Sequence, residues 1–306
     1  DLEGRILRAI GDPEKRFKED ALRLLRAVRF TANLGFHLDL ATGTAVKNQA
    51  RLIRKVSHER VRDELTLTLT GPRPAQALRL LSELGLLHHL LPEIEALADV
   101  PQPTQLDPTS NAWDTTLKVL QVLSDDRERI PEELGWAALL HGVGKPEAWK
   151  RSRQESLNGH EIVGADLAAS ICRQFKLSRA QTETVSQLVS EQLRFKDVFQ
   201  MREATLVRWL QAEHFPLLLR LHRALSLATD GNLAPYEFCR TRFLQLGVSG
   251  PAQTPKLIDG NDLIQLGFQP GRQFSQILEA VEDLAIEGKL RTKESALEFV
   301  IRHFAK

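Results

Sequence analysis

Cysteine is scarce in this 306-residue sequence, with only Cys172 and Cys239. Two isolated thiols make no disulfide framework and suit a reducing cytoplasm. There is one tyrosine and no convincing alternating Val/Ile run, and with 14 prolines this argues against a β-sandwich. No stretch approaches the ~18 consecutive apolar residues that a membrane helix needs. The start carries no charged-then-apolar signal segment, so no membrane partner is expected. Methionine occurs once, at Met201, and the chain opens on Asp1, which points to a fragment or a processed product.

What is present is ordinary for a globular protein: 42% hydrophobic and 26% charged residues. At roughly 150 residues per domain, the length suggests two or more domains. Long stretches of Leu, Ala, Arg, Glu and Gln favour helices, so the fold class expected is all-α. GDP at 11–13 reads as a turn before a helix. A helix over about 16–34 should stop at Gly35, a residue suited to the left-handed closing position. Ser57 can cap the next helix, with Glu59 in its first turn. GPRP at 71–74 is a break, LDPTSN at 106–111 a polar loop, and 112–245 a run of amphipathic helices. GVSGPAQTP at 247–255 is the clearest linker. Beyond it, Gly267 closes a short helical turn, a helix follows over 272–287, and Thr292 caps a last one ending near Phe304.

Net charge is only +1, but residues 1–62 hold 14 Lys/Arg against 8 Asp/Glu, a local balance of +6. A basic end on a neutral chain suits an anionic partner such as RNA or nucleotide phosphates, although a solvated helical face has the same composition. The charge is most regular in EDALRLLRAVRF, residues 19–30, where Arg23, Arg26 and Arg29 recur every third position behind Asp20. With Asp20 at 0° and ~100° per residue, the three arginines fall near ~300°, ~240° and ~180°. Ala21, Leu24, Leu25, Val28 and Ala32 share the other half of the helix and form its core-facing stripe. Glu19 and Arg23 make an i,i+4 ion pair, which leaves Arg26 and Arg29 without local acidic partners. A carboxylate beside a guanidinium also has a selecting chemistry. Cytosine and adenine present an amine next to a ring-nitrogen acceptor; Asp accepts from the first and Arg donates to the second. Uracil and guanine put a carbonyl where the amine would be.

RILRAIGDPEKRFKEDALRLLRAVRFTANLGF, residues 5–36, followed by SHERVRDEL, residues 57–65, resembles the neck of the bacterial class II tRNA nucleotidyltransferase and poly(A) polymerase family. GDPxxRFxED, EDxxRxxRxxR and SxER come in order and at family spacing. Residues 260–300 look like the C-terminal region of CCA-adding relatives. The resemblance implies that Asp20 and Arg23 select CTP or ATP, that Arg26 and Arg29 help hold the nucleotide, and that Glu19, Arg16 and Arg60 support them. It implies a helical neck at 1–70, a helical body at 71–250 and a tail at 257–306, with tRNA or another RNA 3′ end as partner. The family's catalytic head carries a glycine-serine loop, a pair of metal-binding aspartates and an RRDxTxNA-like segment, and none of these is in the sequence. Phosphoryl transfer needs carboxylates holding Mg²⁺. The expectation is therefore that this chain has no catalytic residues of its own, binds no metal, and works with a head supplied in cis or in trans.

Two other readings are open. One is a stand-alone RNA-binding helical module. The other is an HD-domain phosphohydrolase, because NAWDTTLKVL, WAALLHGVGKP, NGHEIVGA and LVSEQLRF resemble such a domain. Its metal ligands would be a first His, an adjacent His-Asp pair and further His or Asp. Here Thr115 takes the first position, His141-Gly142 replaces the pair, His160 remains, and Gln192 stands where another His belongs. Such a region is expected to be a degenerate scaffold, with His141 and His160 packed or hydrogen-bonded. His88 and His89, adjacent on a helix, should point apart and be structural. In the tail, Lys289, Arg291 and Lys293 are candidates for RNA backbone contact, while Leu297, Val300, Ile301 and Phe304 form an apolar face.

Overall fold

The computed structural model describes residues 1–104, 107–126, 128–248 and 257–304. It is predominantly helical, as expected. In chain order the helices are α1 (Pro13–Glu19), α2 (Leu22–Leu34), α3 (Leu40–Gln49), α4 (His58–Leu69), α5 (Pro74–Glu83), α6 (Leu86–Leu90), α7 (Pro92–Glu95), α8 (Ala112–Asp125) and α9 (Glu132–Leu140). There follow α10 (Lys145–Arg151), α11 (His160–Gln174), α12 (Arg179–Glu191), α13 (Glu203–Leu210), α14 (Phe215–Ala228), α15 (Ala234–Val248), α16 (Gly260–Gln265), α17 (Arg272–Ile286) and α18 (Lys293–Phe304). A 3-10 helix over Ala50–Lys55 continues directly from α3. Most of the expected 247–255 linker lies outside the described residues, as does the first residue of the 106–111 loop.

Two short strands depart from the sequence reading. β1 (Ile6–Leu7) and β2 (His37–Leu38) pair in parallel, Ile6 against His37 and Leu7 against Leu38. Each strand has two residues, too short for any alternating pattern to register.

The chain divides into two compact units. The first comprises Asp1–Leu193 and Pro216–Leu233. In it α2 packs on α4 and α5. Leu24, Val28 and Ala32 on α2, and Val61, Leu65 and Leu69 on α4, recur every four residues and are all buried. This is the apolar stripe expected of an amphipathic helix, and each buried leucine contributes roughly 1.5–3 kcal/mol. Gly35 ends α2 in the left-handed conformation at φ 65°.

The second unit comprises Arg194–Phe215 and Ala234–Lys306. Its Phe195 and Phe215 rings lie 4.9 and 5.1 Å from Trp209. Ile258, Leu263, Ile277, Val281, Ala296 and Val300 form the core that joins α16, α17 and α18. Arg208 on α13 reaches Glu282 at 3.1 Å and Asp283 at 2.6 Å on α17.

Cys172 and Cys239 are both buried and free. Burial pushes each thiol up to about 12, so they act as apolar packing groups. Among the described residues no helix is long and apolar enough to cross a membrane.

Candidate functional site

The helix expected over 16–34 is in fact two. α1 begins earlier, at Pro13, where Asp12 caps it by accepting from Glu14 N at 3.0 Å. It ends at Asp20, whose backbone is extended at φ −147°, ψ 102°. The Asp20 carboxylate then accepts from Leu22 N at 3.1 Å and opens α2. A short acidic side chain that bonds a nearby amide competes with helix continuation, which is why the break falls there. Asp20 thus lies at the joint between helices, not on the face of one.

Arg60 on α4 donates through one nitrogen to both Asp20 oxygens, at 3.2 and 3.0 Å. Burial alone would raise the Asp20 pKa. The hydrogen bonds from Arg60 and Leu22 N and the charges of Arg60 and Arg26 outweigh it, and the carboxyl is held below its usual range. Oδ1 has two donors and Oδ2 has one. A carboxylate has about four acceptor sites, so one site on Oδ2 is left.

Arg23 behaves differently. Its NH1 group donates to Glu19 Oε2 at 2.8 Å and to the Arg16 carbonyl at 2.9 Å. Arg16 donates to the same Glu19 oxygen at 2.8 Å. Chiefly through the Arg23 hydrogen bond, and against some burial, Glu19 is held below its usual range. The Glu19–Arg23 pair read from the spacing is present, and it leaves Nε and NH2 of Arg23 available. Arg16, Arg23 and Arg26 line a cleft of about 320 Å³ with Phe17, Ala27 and Phe30. Asp20 and Arg60 line another of about 460 Å³ with Lys18, Lys55 and Ser57. The two clefts share no lining residue, so Asp20 and Arg23 sit one turn apart on different walls. Ser57 stands at the start of α4 as expected, but its side chain makes no capping bond.

Arg26 and Arg29 have a partner that local spacing could not show. Arg26 Nε donates to Glu64 Oε1 at 3.0 Å, and Arg29 Nε to Glu64 Oε2 at 2.7 Å. Glu64 lies on α4 and is only 5% exposed. The Arg29 guanidinium also stacks over Phe30, 4.3 Å from the ring centroid. The two arginines are therefore fixed from below by one buried carboxylate.

The histidines at 141 and 160 occupy a closed interior. His141 Nδ1 donates to the Ala138 carbonyl at 2.8 Å, and Nε2 has no hydrogen-bond partner among the described residues. Burial, then the Lys145 charge, pushes its ring down to about 3. A Cβ at Gly142 would lie 3.5 Å from Lys145 Nζ. Lys145 donates to Gln102 at 2.7 Å, and burial pushes its amine down to about 7. Gln192 donates to the His141 and Val189 carbonyls, and Thr115 to the Asn111 carbonyl. His160 donates to the Leu157 carbonyl at 2.8 Å. Among the described residues no group of three His, Cys, Asp or Glu is gathered that could hold a metal ion. His88 and His89 do not point apart: on the five-residue helix α6 their rings meet edge-on, 5.3 Å between centroids.

Lys145 makes a testable pH dependence. Its amine titrates near 7 when folded, against 10.5 as the reference value. Between those values the unfolded chain holds a proton that the folded chain lacks, so stability rises with pH across the interval. Lys145→Met should remove this rise. In urea titrations its advantage over the parent should be on the order of 4 kcal/mol at neutral pH and vanish in strong alkali. Equal pH profiles for the two proteins would contradict a buried neutral amine. His141 acts in the acid range, where stability falls as pH drops through 6.5, because the unfolded ring protonates first.

Two of the tail cations are already engaged. Lys293 pairs with Asp262 at 2.5 Å and Lys289 with Glu287 at 2.7 Å. Arg291 is exposed and donates to the Gly288 carbonyl at 3.3 Å.

A family profile described as "Probable RNA and SrmB-binding site of polymerase A" matches residues 35–97. A second, described as tRNA nucleotidyltransferase domain 2, matches residues 162–300. The chain is 31% identical, over 99% of its length, to the A-adding tRNA nucleotidyltransferase of Deinococcus radiodurans, and covers 72% of that protein. It is 28% identical to the CCA-adding enzyme of Lactobacillus helveticus, over 97% of this chain and 63% of that one. It is 31% identical to the CC-adding tRNA nucleotidyltransferase of Thermus thermophilus, over 98% of this chain and 70% of that one. The crystal structure of the Bacillus stearothermophilus CCA-adding enzyme with CTP shares the fold, with a TM-score of 0.69 at 24% identity over 98% of this chain and 66% of that chain.

Proposed function

This chain belongs to the tRNA nucleotidyltransferase and poly(A) polymerase family, and on that premise we propose that it is the nucleotide-selecting and RNA-holding portion of such an enzyme. The observation that carries this is the pairing at the start of α2. Asp20 is held ionised with one acceptor site left. One helical turn on, Arg23 keeps Nε and NH2 without a partner among the described residues. An amine on the base is accepted by the first, and a ring nitrogen receives a hydrogen bond from the second. CTP and ATP meet both demands; UTP and GTP present a carbonyl to the carboxylate. To bring both groups onto one base, the Asp20–Arg60 contact must share its carboxylate, or Arg23 must swing from Glu19. Arg26 and Arg29 hold phosphate or ribose from a framework anchored beneath by Glu64, whose single charge offsets one of the two guanidiniums.

Among the described residues no group of carboxylates is gathered that suits Mg²⁺, and no chemical step is assigned to them. A catalytic head, in cis or in trans, would hold the metal and align the attacking 3′-hydroxyl of a tRNA. The helical stretch at 71–250 and the tail at 257–306 would hold that RNA; of the candidates Lys289, Arg291 and Lys293, only Arg291 has no ion pair among the described residues.

Labelled CTP and ATP should not enter tRNA lacking its 3′ end when this chain is the only protein present with Mg²⁺. Adding a head should restore incorporation of C or A and leave U and G excluded. Incorporation by the chain alone would place catalytic carboxylates within it and overturn the assignment.

A further inference from the structure

A further pocket, of about 400 Å³, lies within the first unit and shares no lining residue with either cleft at α2. Its size is that of a small-molecule site. Ala75, Leu117 and Ala228 are buried and give it an apolar floor. Its walls come from α5 and α8, which pack together. Gln76 and Arg79 stand three residues apart on α5, and Asp114 and Lys118 four apart on α8, so each pair shares one helix face.

The cations of this pocket are uncommitted. Arg79 is exposed and Lys118 half-buried, and neither has an ion-pair partner among the described residues. An acid four residues ahead of a lysine is the better orientation for a helical ion pair, yet Asp114 and Lys118 do not form one. The acids are engaged locally instead. Asp114 Oδ2 accepts from Asn111 N at 3.3 Å in the capping box of α8, where the positive end of the helix favours a carboxylate. Asp107 Oδ1 accepts from the Thr109 hydroxyl at 2.7 Å and from Thr109 N at 2.8 Å. These two bonds hold the Asp107 carboxyl below its usual range, helped by the Lys118 charge and opposed by burial. Asp114 Oδ1 and Asp107 Oδ2 have no donor among the described residues.

We propose that this pocket binds a small sugar phosphate, its phosphate on Arg79 and Lys118 and its hydroxyls donating to Asp107 and Asp114. A phosphate monoester carries about −1.5 to −2 charge at neutral pH and so answers two cations, where a carboxylate answers one. The arginine offers a planar fork and the lysine a point charge, both suited to phosphate oxygens. Sugar hydroxyls supply the donors that the two idle carboxylate oxygens lack. The floor of Ala75, Leu117 and Ala228 takes the carbon face of the ring. The same two acids repel the continuous charge of a nucleic-acid backbone, so the ligand is compact. The site lies apart from nucleotide selection and does not depend on that reading.

Calorimetric titration of the full-length protein with ribose 5-phosphate is the test. One saturable site is expected, with ribose and inorganic phosphate each bound roughly tenfold or more weakly, since each makes only half of the contacts. Arg79→Ala and Lys118→Ala should each weaken ribose 5-phosphate by roughly 10–100-fold, the worth of one hydrogen bond to a charged group. Arg79→Lys keeps the charge without the fork and should fall between. Affinities for CTP and for tRNA, which also report the fold, should be unchanged in all three variants. Absence of ribose 5-phosphate binding to the parent would refute the site, as would equal binding by parent and alanine variants, which would put the ligand elsewhere. Inorganic phosphate bound as tightly as ribose 5-phosphate would overturn the sugar assignment. Weaker tRNA binding by the alanine variants at unchanged CTP affinity would give both cations to RNA and overturn the proposal.

Discussion

Glu64→Ala is expected to destabilise the first unit by about 3–5 kcal/mol, the cost of removing one member of a buried charge pair. Both Glu64 oxygens are in use, one shared by Arg26 and Arg29 and the other taken by Arg29. The Arg29 side chain is 14% exposed, so without Glu64 its charge is largely desolvated and has lost its carboxylate partner. Arg26 is 46% exposed and can turn to solvent, so most of the loss traces to Arg29. At about 2–4 °C per kcal/mol the melting temperature should fall by roughly 6–20 °C. Glu64→Gln keeps the shape but not the charge and should fall between. Replacing Arg29 and Glu64 together by methionine should recover much of the loss, since well-packed apolar groups can substitute for a buried pair. A melting curve for Glu64→Ala that overlays the parent would show that the arginines do not need it.

The second large effect is on selectivity. In the full-length protein, Arg23→Ala should remove discrimination between CTP or ATP and their UTP or GTP counterparts. A hydrogen bond to a charged group is worth about 1.5–3 kcal/mol, so preference should fall by roughly 10–100-fold. Competition for incorporation among the four nucleotides measures this directly. Arg23→Lys should recover little, because a compact ammonium cannot reproduce the planar fork that Glu19 and the Arg16 carbonyl orient. Undiminished rejection of UTP and GTP by Arg23→Ala would remove Arg23 from the selecting role. Arg60→Ala is a distinct control. It frees Asp20 from its interhelical partner and should shift the Asp20 pKa upward, towards the ordinary range.

Much of the helical frame was legible because it rests on local rules. The spacing of Leu24, Val28 and Ala32 marked the buried side of α2, and Gly35 marked its end. The break at Asp20 was hidden, because the flanking residues are all good helix formers and only the side-chain bond to Leu22 N reveals it. Glu64 was missed for a different reason. Its partners lie 35 and 38 positions away, and only the packing of α2 on α4 brings them together. Its segment, 57–65, was singled out as part of the family pattern, so the signal was there without its geometry. The facing of His88 and His89 departs from the rule for adjacent helical positions, because they meet at the end of a helix barely one turn long.

The two-residue ladder between β1 and β2 has a mechanical consequence. His37 N bonds to the Arg5 carbonyl at 2.7 Å and Asp39 N to the Leu7 carbonyl at 2.9 Å. These bonds staple the chain ahead of α1 to the chain just past α2, and turn everything between into a closed loop. Tension applied near residue 5 passes through the staple to the base of α3 and skips the joint at Asp20. The N-terminal end of α2 is thereby strain-relieved: it can hold still while the polypeptide on either side of the loop is pulled or twisted.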